Sequence, residues 1–201
     1  MTINWSEQLA QQLDWHWQAH LRPRLDGLTD AEYFWEPVAD TWSVRPRGRG
    51  VAMEVGSGDF IIDFALPEPS PPPVTTVAWR LGHILVGVLG DRNARHFGGP
   101  AVSYQDYDYP GTAEEALSRL DDSYATWIAG VRRLDDEALS GPCQEPGHEA
   151  DPMAALVLHI NREMLHHGAE LALLRDLYLW RSEGVPVPGG PELGPGQHHL
   201  G

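Results

Sequence analysis

Lysine is missing from this chain altogether: all 14 basic residues among the 201 are arginines. Without a lysine amine there is no Schiff base to a carbonyl substrate or to pyridoxal phosphate, so that chemistry is excluded. Basic residues are also outnumbered by 29 acidic ones, for a formal net charge of −15. Such a chain repels phosphate backbones and anionic headgroups, which argues against nucleic acid and against a membrane surface as partners. Cysteine is nearly absent as well. The single Cys143 rules out an internal disulfide and any cysteine-rich zinc site. It sits in "SGPCQEPG", a Pro/Gly loop with no activating base beside it, and reads as a passive loop residue. No apolar run approaches the roughly 20 residues a membrane helix needs. The start "MTINWSEQLAQQL" lacks a basic segment leading into an apolar stretch, so no signal peptide is expected and a cytoplasmic location is.

What is present is helical pattern. Asn4 with Glu7, and Thr112 with Glu115, have the spacing of capping boxes at helix starts. Helices are expected near 4–25, 75–97, 112–134 and 152–181. The first would bury Leu9, Leu13, Trp17 and Leu21, and the third Ala116, Leu120, Tyr124, Trp127 and Val131. Asp151-Pro152 opens the fourth. A shorter box, Thr29 with Glu32, ends at Pro37. The expected class is all-α, a four-helix bundle with a long connection between the first and second helices. Within that connection, residues 36–74, "VAMEV" and "FIIDFAL" flank "GSGD" as a short hairpin, read as a flap covering one end of the bundle near His83 and the fourth helix. One domain spans 1–184, and the Pro/Gly-rich tail 185–201, with His198 and His199, is expected to be disordered.

The fourth helix carries an anomaly. "LHINREMLHHGAELALLRDLY" sets His159, Glu163, His167 and Glu170 along one edge of a segment otherwise rich in leucine. Glu163 and His167 are four apart and share a face, so a carboxylate oxygen and an imidazole nitrogen can meet on one cation. A solvated polar face explains the same spacing, and a lone E-x-x-x-H is a weak signal. His83 adds weight: it lies among Leu81, Ile84, Leu85, Val86 and Leu89 on the second helix, where it would be a hydrogen-bonded core histidine or a third ligand facing the pair. His16 and His20 form a competing pair on the first helix. His96 and His148, near loops, carry little signal.

The patches "RPRLDGLTDAEYFWEP", "WSVRPR", "TTVAWRLGHILVGVLGDRNARHFG" and "LHINREMLHHGAELALLRDLY" together resemble an actinobacterial branch of the DinB-like superfamily of four-helix metalloproteins, over most of residues 5–181. Many members bind a divalent metal through three histidines, the last two spaced H-x-x-x-H. Here Arg162 stands four before His166, which breaks that version. The branch resembling mycothiol-dependent maleylpyruvate isomerase uses a histidine and then Glu-x-x-x-His, a pattern that falls on His83, Glu163 and His167. The resemblance therefore implies a metal site of His83, Glu163 and His167, with zinc expected and nickel the second choice. It further implies a thiol-dependent, mycothiol-type S-transferase or isomerase acting on a small electrophile. The isomerase's second domain has no counterpart of comparable size here, so its substrate does not carry over. Arg80, Arg92 and Arg162 are the candidates to hold an acidic substrate, and ordinary salt bridges with Asp91, Glu163 or Asp176 are the equal alternative. The alternative is a non-enzymatic metal or small-ligand binding bundle. A small-molecule thiol, the electrophile and a second copy of the chain in a homodimer are the expected partners.

Overall fold

The computed structural model describes residues 3–182; the tail 185–201 lies outside the described residues. The helices begin where a short polar side chain takes a backbone N–H that has no partner within the helix. Asn4 accepts from Glu7 N at 3.2 Å, Thr76 from Trp79 N at 3.1 Å and Thr112 from Glu115 N at 3.2 Å. Thr29 does the same for Glu32 N at the start of the short helix Asp30–Tyr33.

The first helical run is Trp5–His16, continued through a π turn at Trp17–Leu21 into Arg22–Arg24. The second is Val77–His83, a π turn at Ile84–Val88, and Gly90–His96. The third and fourth helices are Ala113–Arg132 and Met153–Ser182, with the short helix Asp136–Ser140 between them. In the π turns an N–H bonds five residues back, Arg22 N to Trp17 O and Leu89 N to Ile84 O. The extra residue per turn changes the heading of the side chains beyond it, and such turns recur at functional sites. The second one begins immediately after His83.

The first and second runs each pack on both the third and the fourth helix. Leu13, Leu81, Ile84, Leu89, Leu120, Trp127 and Ile160 are all but fully buried between them, each burial stabilising by about 1.5–3 kcal/mol. Trp17 lies flat on Tyr124 with ring centroids 3.9 Å apart. The first run comes so close to the fourth helix that a Cβ at Gly168 would stand 2.9 Å from Leu21 Cδ2, so glycine sets that spacing. No helix among the described residues is long and apolar enough to cross a membrane.

The chain is mostly helical, but the all-α expectation is corrected by a small antiparallel sheet in the long connection. Its strands are β1 (Val44–Pro46), β2 (Met53–Val55) and β3 (Phe60–Phe64), in the order β1-β3-β2. The expected hairpin is β2 with β3, Val55 opposite Ile62. Strand β1, from "WSVRPR", has no alternation to announce it. It is held instead by Asp63, whose Oδ2 accepts from Ser43 N and Arg45 Nε, each at 2.9 Å, while Oδ1 accepts from Val51 N at 3.0 Å. Ile61 and Ile62 are fully buried. Trp79 Nε1 donates to Asp63 O at 2.8 Å, and Ile62 reaches Gly82. The connection thus packs on the second helical run near His83, and its strands have no comparable contact with the fourth helix among the described residues.

Candidate metal centre

His83 ends the regular part of the second run, at the point where the π turn begins. Trp79, one turn earlier, stacks on its ring at 5.5 Å, with planes 15° apart. Its Nδ1 lies 2.6 Å from the Tyr104 hydroxyl. A Cβ at Gly87 would overlap that hydroxyl and touch His83 Cε1, so the glycine makes room for the pair. Burial, then the neighbouring His167, Arg80 and Arg92, push the His83 imidazole down to about 3, so the ring is neutral at physiological pH. In the tautomer whose Nδ1–H donates to the tyrosine oxygen, Nε2 carries a free lone pair.

The fourth helix supplies the opposite wall. His167 is buried, and its ring meets that of His83 edge to face, centroids 4.7 Å apart. Its Nδ1 is 2.7 Å from Glu170 Oε2. A carboxylate can only accept, so Nδ1 carries the proton and Nε2 is again the lone pair. Burial is the main cause of the downward shift of His167, opposed by Glu170, which leaves the ring neutral at physiological pH. Glu170 is fixed from the other side by Arg80, Nε to Oε2 at 3.1 Å. The Arg80 guanidinium lies over the Trp79 ring at 5.1 Å, closing a circuit from His83 through Trp79, Arg80 and Glu170 to His167.

Glu163 faces this arrangement with 26 % of its side chain exposed, and its Oε2 is 3.7 Å from His167 Nε2. That is too long for a hydrogen bond, and both atoms are acceptors. Two ligand atoms each 2.0–2.2 Å from a tetrahedral metal lie roughly 3.4 Å apart, so the gap has the width a bound cation requires. The other carboxylate oxygen, Oε1, lies 3.4 Å from Arg162 and 3.5 Å from His159 Nδ1.

The structure therefore brings His83 and Glu163 to two sides of His167. Among the described residues, the one group of three histidine, cysteine or acidic side chains whose ligand atoms all lie within 4.8 Å of one another is His166, His167 and Glu170; His83 and Glu163 each approach His167 without completing such a group. His166 is 63 % exposed, and the Glu170 oxygen that serves His167 already faces the Arg80 cation, which a metal ion there would have to displace. His16 and His20 approach each other at 5.8 Å between centroids on the first run. Glu170 and Tyr104 are supporting residues that sequence reasoning did not assign, and Arg80, a candidate there for an acidic substrate, is paired with Glu170 instead. The polar stripe of the fourth helix contained Glu170, whereas Tyr104 comes from the loop before the third helix and carries no local signal.

A family model described as the DinB superfamily matches residues 12–171, a span that includes every residue of this cluster. The chain belongs to the DinB superfamily. No curated protein and no solved structure matches it. In this DinB chain the clustered His166, His167 and Glu170 offer two imidazoles and a carboxylate, ligand types that suit a divalent first-row metal. Cys143 is buried, with its Sγ 3.3 Å from His148 O, and offers no exposed thiol.

Proposed function

We propose that this DinB chain is a metal-dependent enzyme in which His83, Glu163 and His167 hold one divalent cation, zinc first and nickel second, at the centre of a four-helix bundle. The observation that carries the reading is the 3.7 Å gap between His167 Nε2 and Glu163 Oε2, two acceptors with no proton to share. Glu170 orients His167 as carboxylates commonly orient metal-bound histidines, and Tyr104 does the same for His83. Glu163 is partly exposed, and its neighbour Arg162 lines a cavity, which suits a reactive site better than a sealed structural one.

The proposed reaction is S-transfer to, or thiol-assisted isomerisation of, a small electrophile, with a low-molecular-weight thiol of the mycothiol type as cosubstrate. The cation, when bound, supplies the positive charge that lets a thiol exist as thiolate near neutral pH. The chain's own groups do the rest. His83 and His167 are neutral and need shed no proton to act as ligands, Glu163 offsets the charge, and the sheet packed on Trp79 keeps water from one side of His83. The only cysteine is buried, so the thiol has to arrive from solution. The fourth helix leaves Leu158, Leu173 and Trp180 exposed, and a homodimer covering them is part of the reading.

The test is a thiol-conjugation screen of zinc-loaded protein with mycothiol against a panel of small electrophiles. Turnover that vanishes on chelation and returns with zinc supports the proposal. Metal binding without turnover points to a binding protein.

A further inference from the structure

Beside the metal cluster, a cavity of about 330 Å³ opens between the start of the fourth helix, the end of the second run and the loop that carries Cys143. Its apolar surface is made by Leu156, Ala155 and Pro146, and its charged surface by Arg92 and Arg162. Glu145 and Asp151 line it too, but both are engaged: Glu145 Oε1 takes His96 Nε2 at 2.8 Å, and Asp151 Oδ2 takes His148 Nδ1 at 3.0 Å.

The arginines are less fully used. Arg92 donates one N–H to Gly87 O and stands 3.4 Å from Asp91 and 3.5 Å from Glu145, while its Nε is buried with no hydrogen-bond partner. Arg162 is bound to His159, and it touches Glu163 only at 3.4 Å. A guanidinium carries five N–H donors in a planar fork, and neither arginine has all five in close hydrogen bonds. Both arginines also border the metal cluster, since Gly87 lies against His83 and Arg162 adjoins Glu163.

We infer that this cavity binds a small organic acid, its carboxylate received by Arg92 and Arg162 and its apolar body resting on Leu156, Ala155 and Pro146. Guanidinium forks match carboxylate geometry, and the apolar surface rewards a hydrocarbon or aromatic body. The two acidic side chains that share the cavity disfavour a phosphate dianion. That this acid is the electrophile of the reaction rests on the metal-dependent reading above; that the cavity binds it does not.

Benzoate and its neutral isostere benzamide are the probes, titrated by protein-observed NMR into metal-free and zinc-loaded protein. The expected result is saturable benzoate binding in both forms that shifts the signals of Ala155 and Leu156, with benzamide much weaker. Arg162→Gln, at an exposed position that cannot unfold the protein, should weaken benzoate about tenfold or more, and Arg92→Gln likewise, with thermal melting as its folding control. Benzamide equal to benzoate, inorganic phosphate tighter than benzoate, no saturable binding, or Arg162→Gln without effect would each overturn the inference. A failure of the metal reading would show instead as absent zinc binding with benzoate binding intact.

Discussion

Glu170 holds His167 by one edge, Oε2 to Nδ1 at 2.7 Å, and so turns the other edge of the ring toward Glu163. The carboxylate thereby selects the tautomer as well as the orientation. Replacing Glu170 with glutamine puts an amide that can present N–H where only an acceptor was, and the ring loses its fixed direction. Glu170→Gln should lower zinc affinity about 10- to 100-fold with little change in melting temperature. Competition titration against a chromophoric chelator measures it. Unchanged affinity would show that Glu170 does not orient a ligand.

Tyr104 should behave as the counterpart on the second run. Tyr104→Phe leaves His83 Nδ1 without its partner at 2.6 Å, and about a tenfold loss of zinc affinity is expected. Gly87→Ala should reproduce that loss by crowding the same hydroxyl. If Gly87→Ala weakens metal while Tyr104→Phe does not, the glycine matters for helix geometry and the tyrosine contact is incidental.

Acid should destabilise the metal-free protein through its buried histidines. The native state holds His83 down to about 3, against about 6.5 in an unfolded chain. Between those values the unfolded state takes up a proton that the native state refuses, so stability falls as pH drops below about 6.5. The slope for this one group is at most about 1.4 kcal/mol per pH unit. His167 is shifted in the same direction and adds to it. Urea midpoints in the presence of chelator should fall steeply from pH 7 to pH 4.5, and less steeply for His83→Gln. Parallel pH profiles for the two proteins would contradict the assignment.

The sheet depends on one side chain. Asp63 is fully buried and receives Ser43 N, Arg45 Nε and Val51 N. Asp63→Ala leaves Arg45 Nε and two backbone N–H groups without their acceptor, while Glu36 and Thr41 O keep the rest of the guanidinium, at a cost of about 1–3 kcal/mol. Equilibrium urea unfolding measures it; a loss below about 1 kcal/mol would mean that water replaces the carboxylate.

Much of this molecule can be read from local pattern. Asn4, Thr76 and Thr112 announce helix starts because capping acts over three residues, and Leu13, Trp17 and Leu21 repeat at helical spacing because they share one buried face. Glu163 and His167 are visible for the same reason. What stays hidden depends on contacts between distant segments. Tyr104 meets His83 across 21 residues of chain, and Arg80 meets Glu170 across two helices, with no periodicity to mark either. Strand β1 is ordered by Asp63 from another strand, and the π turn after His83 has no signature in "HILVGVLG". His96 and His148, which look unremarkable beside loops, turn out to engage the acids of the cavity.

The central claim is the identity of the three ligands, and zinc titration of the metal-stripped, untagged protein and four single variants tests it most directly. One zinc should bind per chain, with nitrogen ligands at about 2.0–2.1 Å by X-ray absorption. His83→Ala and His167→Ala should abolish that binding, Glu163→Ala should weaken it while the fold is kept, and His166→Ala should leave it nearly intact. Loss of zinc in His166→Ala with retention in His83→Ala would place the ion on His166, His167 and Glu170 instead and contradict the account.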